Sequence, residues 1–219
     1  MGCGIVLLQM CTVAVASSIS YTASISPAQT TDWTLVLNIS KFDPSAIPGS
    51  VLQSVDIDLT GYLVGDMRME NMGQSPSTVT LVLSSIVTLK APDNSILVTA
   101  SPQVQNIVNA TGFDGIVDWG GTSGASFLNQ STSQTASVNI TAPASLAMFI
   151  GPSTASCPVT ATGNSIALGS GNVASWFTTL ASATVKVTYN YSVVPEPGSL
   201  LALGTGFIGL VGFVLRRKH

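Results

Sequence analysis

Charge is what this chain has least of. Asp, Glu, Lys and Arg make up 8% of its 219 residues, against about 25% in ordinary soluble proteins. Hydrophobic residues make up 46%, so the low charge does not signal disorder, which combines high charge with low hydrophobicity. Histidine occurs once, as His219 at the far end. The body of the chain therefore cannot hold a Ser-His-Asp or Cys-His catalytic site, or a histidine-ligated metal. Cysteine occurs three times, at Cys3, Cys11 and Cys157. Loss of an N-terminal leader would leave Cys157 alone, so the body has no internal disulfide and must rest on burial and hydrogen bonding. A lone Cys157 reads as a small buried hydrophobe, not a reactive thiol. Between residues 17 and 192 there are nine acids and four bases. That negative balance repels phosphate and excludes nucleic acid as a partner.

What is present is alternation. Trp33, Leu35, Leu37 and Ile39 share one parity and predict a half-buried strand, which Asp43-Pro44 and Pro48-Gly49 end as a loop. Val55, Ile57, Leu59, Leu63, Met67 and Met69 form a longer row, with Gly61 and Gly65 in the same register. Asp56, Asp58, Thr60, Tyr62, Asp66, Arg68 and Glu70 occupy the opposite parity. This predicts a long strand or a bent pair, with the glycines allowing curvature or a bulge. Val79, Leu81, Leu83, Val87 and Leu89 form another inward row, and Pro92 to Ser95 turns it into a hairpin with Ile96 to Thr99. Further strands are expected over 113–119, 136–141, 158–161 and 183–191, and one or two helical turns over 144–149. Many short strands with Gly, Ser, Asn and Pro turns predict an all-β fold, an antiparallel, jelly-roll-like β-sandwich over 17–192. A closed barrel is the alternative.

Both ends carry addressing features. Residues 1–16 read as a signal peptide, with Ile5-Val6-Leu7-Leu8 opening an apolar core and Ala14-Val15-Ala16 supplying a small-residue cleavage site. No Lys or Arg precedes that core. At the other end, Val194-Pro195-Glu196-Pro197-Gly198 is followed by an uncharged apolar segment, Ser199 to Leu215, and then by Arg216, Arg217 and Lys218. As a helix the apolar segment is about 25 Å long, enough to span a slightly thin membrane core. The basic stop keeps its own end cytoplasmic, so everything before Pro195 faces outward.

This tail closely resembles the PEP-CTERM sorting signal of exopolysaccharide-producing, mostly Gram-negative bacteria. The resemblance implies that an exosortase, a membrane-embedded cysteine peptidase, reads Pro195, Glu196 and Pro197 and removes the transmembrane helix 199–215. The protein would pass through the inner membrane only transiently and end at the cell surface or outside the cell. The physics suits that role. Two prolines hold the backbone extended at the membrane face, and Glu196 resists entry into lipid. The bland reading of residues 193–219 is an ordinary single-pass anchor.

A second resemblance lies in the body. Thr31-Asp32-Trp33-Thr34 to Phe42-Asp43-Pro44, and Ser54 to Gly61, look like the choice-of-anchor E domain. So do Phe113-Asp114-Gly115 with Gly120 to Gly124, and Gly169 to Asn172 leading into Val185 to Tyr189. The resemblance implies a secreted β domain and brings no assigned chemistry.

Few residues otherwise suggest chemistry. A Ser-Lys dyad would have to use Lys41, Lys90 or Lys186, and no motif singles out its serine. Asp56, Asp58, Asp66 and Glu70 share a parity and could bind Ca²⁺ or a glycan, but no calcium-loop motif accompanies them. The plainer reading is a solvated face on which Arg68 pairs with neighbouring acids. Asp114, Asp118 and Trp119, beside Gly120 and Gly121, form a candidate glycan contact if Trp119 is exposed; a core Trp at a tight turn is the commoner arrangement. Trp33 and Trp176 are assigned to the core. The expectation is a non-enzymatic exported protein with no cofactor or metal, handled by an exosortase-type peptidase and associated with exopolysaccharide or biofilm. The competing reading is a carbohydrate-binding or adhesive module. A glycan-acting enzyme would need two acids facing each other across a groove.

Overall fold

The computed structural model describes residues 15–193. Ten strands form two antiparallel sheets: β1 (Val15–Thr30), β2 (Trp33–Ser40), β3 (Ser50–Asn71), β4 (Ser77–Lys90), β5 (Ile96–Ala100), β6 (Gln103–Ala110), β7 (Gly124–Ile140), β8 (Thr154–Gly163), β9 (Ile166–Gly169) and β10 (Val173–Val193). One sheet runs β1-β10-β3-β7 and the other β2-β8-β4-β5. The first half of β4 pairs with β6 and β9, its second half with β5 and β8. With β6 and β9 set aside as companions of β4, the remaining eight strands follow jelly-roll order. The predicted helical turns are present as α1 (Pro143–Leu146) and a 3₁₀ turn over Ala147–Phe149.

β3 is one continuous strand of 22 residues, not a bent pair. Its odd-numbered apolar row, Val55 to Met69, is fully buried. The core divides at Gly61 of that row, between Leu59 and Leu63. Leu37, Val55, Ile57, Leu59, Val87, Val159 and Val185 belong to one cluster, and Leu63, Met67, Met69, Val79, Leu81 and Leu83 to the other. Gly65 is required by close approach, because a Cβ there would lie 1.9 Å from the carbonyl oxygen of Thr178. The β3–β7 register also shifts between Gly65 and Met67, but the extra residue lies in β7, where Leu128 and Asn129 face the single Asp66.

Residues 113–119 do not form the expected strand. They belong to an irregular loop between β6 and β7. Asp114 and Asp118 each accept a hydrogen bond from the backbone N–H two residues on, and Gly115, Trp119 and Gly121 adopt positive φ. These local turns compete with ladder pairing and win. The structure also has strands that the sequence pattern does not predict: β1, β6, β9 and the first halves of β7 and β10.

Candidate functional site

The first place to look is where the chain leaves the domain. β10 ends at Val193, which pairs with Val15 of β1 and Ser50 of β3. Gln53 Nε2 donates to Ser192 Oγ at 3.1 Å. The Tyr191 ring packs 5.1 Å from Phe42, and the neighbouring Tyr189 hydroxyl donates to the Ser40 carbonyl at 2.7 Å. The segment after Val193 therefore starts from a strand held on both sides. Pro195, Glu196, Pro197, the apolar segment 199–215, and Arg216, Arg217 and Lys218 lie outside the described residues, as do residues 1–14 of the expected signal peptide. A leader boundary after Ala16 falls two residues inside β1, where Val15 and Ala16 pair with Val193 and Ser192.

At the opposite end of β10 is the loop carrying Asp114, Asp118 and Trp119. Glu70 organises it. The sequence pattern put Glu70 on the solvated face with Asp56 and Asp58, yet it is fully buried. Its Oε2 accepts the Trp119 N–H at 2.9 Å. The neighbouring Gly124 leaves room for the carboxylate, since a Cβ there would come within 2.4 Å of Oε2. Asn71 continues the lock, donating to the carbonyls of Ser75 and Thr111 and accepting from Gly73 N. Glu70 Oε1 and the buried Ser123 hydroxyl have no hydrogen-bond partner among the described residues. Asp114 and Asp118 are exposed and occupied with their own turns, while Trp119 is only half-buried, between the sugar platform and the core residue that the sequence offered.

The other acids do not converge. Asp56 accepts amide hydrogen bonds from Asn139 and Asn190, at 2.6 Å each, and Asp58 accepts the Ser137 hydroxyl. Asp66 accepts the backbone N–H of Asn129 at the β7 bulge. It lies eight residues beyond Asp58 along β3, about 26 Å away. All three stand on the outer surface of the four-stranded sheet, which has no opposing wall. Arg68 does not make the expected pairing with its acidic neighbours; its guanidinium carbon lies 4.9 Å from the ring centroid of Trp176. Trp176 corrects a second expectation. It is 45% exposed, because its even position on β10 points away from the core. Trp33 does pack against the main cluster. No group of three or more His, Cys, Asp or Glu suited to a metal occurs among the described residues. Cys157 is buried, and desolvation pushes its thiol up to about 11.

Comparison with known families decides one point. The PEP-CTERM protein-sorting motif matches residues 193–218. The chain carries this sorting motif. The match begins at the last residue of β10, so folded domain and PEP-CTERM signal adjoin without a linker. The motif indicates sorting to the cell surface by exosortase, a membrane protease. It implies export with transient C-terminal anchoring and a final place at the surface or outside the cell. No curated protein matches the chain. Among solved structures, one of desmodium yellow mottle tymovirus is 7% identical over 90% of this chain and 92% of that chain, with a TM-score of 0.28. A chain of the T13 IBDV viral particle is 13% identical, with a TM-score of 0.19, and the match covers 82% of this chain and 40% of that one. A chain of infectious bursal virus derived T=1 particles is 12% identical, also at a TM-score of 0.19, over 82% of this chain and 41% of that one. Likenesses this distant carry no argument about function.

Proposed function

We propose that this protein is a non-catalytic component of the extracellular polysaccharide matrix, a choice-of-anchor E-like β domain delivered there by its PEP-CTERM tail. One observation carries the reading: the sorting motif begins where β10 ends. Processing there would free the whole sandwich with at most a few tail residues and leave the apolar segment 199–215 behind in the membrane. The absence of histidine before His219 and the spread of Asp56, Asp58 and Asp66 over an open sheet surface support a binding or structural role over hydrolysis.

The test is the intact mass and cellular fraction of the protein in cells with and without the sorting peptidase. The expected result is a surface or matrix form lacking the apolar segment 199–215, found only when the peptidase is present. Glu196→Ala should leave export intact and hold the unprocessed chain in the inner membrane. Normal surface release of that variant would refute recognition through Pro195-Glu196-Pro197. A full-length chain in the inner membrane under both conditions would reduce the tail to an ordinary anchor.

A further inference from the structure

The outer surface of the four-stranded sheet changes character along its length. In the half nearest Val193, polar side chains of neighbouring strands bond to one another. Ser20 and Thr188 are 2.8 Å apart, Ser24 and Thr184 3.0 Å, and Thr60 and Thr135 2.8 Å. Asp56 and Asp58 take the amides and hydroxyl of Asn139, Asn190 and Ser137. Groups satisfied in this way have little hydrogen-bonding capacity left for a ligand.

Beyond Thr60 this pattern gives way to aromatic residues. Tyr62 is 41% exposed and Trp176 45% exposed, and both project from the same sheet surface. Trp176 is the register partner of Arg68, which lies six residues along β3 from Tyr62. The two rings are therefore about 20 Å apart. Arg68 lies over the indole, its guanidinium carbon 4.9 Å from the ring centroid, which steadies the ring, and 45% of Trp176 remains open to solvent. Between the rings lie Val64, Asp66 and Leu180, with the exposed Asn129, Ser131 and Ser133 of β7 alongside. A hollow of ≈ 260 Å³ lies against Tyr62, Val64, Ser131 and Ser133.

We propose that this half of the sheet surface binds a neutral glycan chain, with Tyr62 and Trp176 as its two stacking platforms. A sugar ring has an apolar C–H face and a rim of hydroxyls. An exposed aromatic ring matches the first, and short hydroxyl and amide side chains match the second. Asp66 and Arg68 contribute one charge of each sign, so the patch has no net charge with which to select phosphate, an acidic polymer or an anionic lipid. Polar side chains interrupt its apolar area in every row, unlike the continuous apolar centre of a protein–protein contact. Trp176 also lies 17 residues before Val193 on one strand, about 55 Å from the start of the sorting tail. Such a surface faces the matrix when the tail is in the membrane. The inference rests on the matrix reading above and gives it a site.

Full-length protein purified in detergent would be run in native gels containing one of three polymers: exopolysaccharide from the producing cells, neutral hydroxyethylcellulose, or acidic alginate. The neutral polymer or the native exopolysaccharide should retard the protein. Tyr62→Ala and Trp176→Ala should each weaken retardation about tenfold, the double variant should migrate as if no polymer were present, and Trp176→Phe should restore much of the effect. All variants should melt with the parent protein, since both side chains are on the surface. Retardation by none of the polymers, by alginate alone, or undiminished in the double variant would overturn the proposal. Retardation abolished by Trp119→Ala but not by the double variant would also overturn it. Cell fractionation separates this failure from failure of the matrix reading. Protein found in the matrix but not retarded refutes only the binding face; retarded protein absent from the matrix refutes only the location.

Discussion

Glu70 shows how one residue can depart from a face that its neighbours obey. Its parity puts it with Asp56 and Asp58, but β3 ends there under the loop of residues 111–123, and that loop closes over it. A buried carboxylate is tolerated where backbone donors point at it. Glu70→Ala should therefore cost about 1–3 kcal/mol by stranding the Trp119 N–H. It should also speed hydrogen exchange across residues 111–124. Glu70→Gln keeps an acceptor of the same shape and should stay close to the parent. Unchanged exchange in the alanine variant would show that Asn71 alone holds the loop. Cys157 behaves as a buried hydrophobe. Its thiol is raised from 9.0 to about 11 by desolvation, against a smaller opposing effect of Lys41. A raised folded-state value means its contribution to stability is complete below about pH 9 and is lost as pH climbs toward 11. Ellman's reagent at pH 8 should leave Cys157 unmodified in the native protein and label it fully in urea. Rapid native labelling would contradict the burial.

At the scale of the element, β3 is the organising strand. It pairs with β10 along its whole length and with β7 along most of it, and its inward row contributes to both core clusters. Gly65 sets the point at which β10 crosses closest. Gly65→Ala forces a methyl group into the Thr178 carbonyl, a backbone atom that cannot rotate aside. We expect a loss of about 1–3 kcal/mol in urea denaturation. Gly61→Ala should cost less, because its Cβ would meet the Val87 side chain at 3.1 Å, and that side chain can adjust. Equal losses at the two sites would mean that β10 yields more readily than the geometry implies.

For the whole molecule, strand order places its two functional ends. β10 joins the sorting tail at Val193 to the aromatic half of the sheet near Trp176, so the sorting motif and the proposed glycan-binding surface are at opposite ends of one strand. β1 pairs along the terminal half of β10 and stops at Leu180. Beyond that point β10 has no β1 partner, and Trp176 stands where the sheet narrows.

The sequence by itself determined the sorting motif of this protein and most of its inward rows. A sorting tail is read from contiguous residues, and period-two alternation in an uncharged chain leaves little choice about which face is buried, as Val55 to Met69 and Val79 to Leu89 show. Only the tertiary structure decided which outward residues meet. Tyr62 and Trp176 are 114 positions apart in the chain and share a surface because β10 lies beside β3. Trp176 reads as a core residue because an apolar neighbourhood in sequence does not reveal parity against a partner strand. The alternation of Ile19, Tyr21, Ala23 and Ile25 is legible, but its serine-rich outer face and its place directly behind the expected signal peptide disguise β1. The strand expected over 113–119 failed for a local reason, since Asp and Gly turns outcompete a ladder wherever no neighbouring strand is placed to complete one.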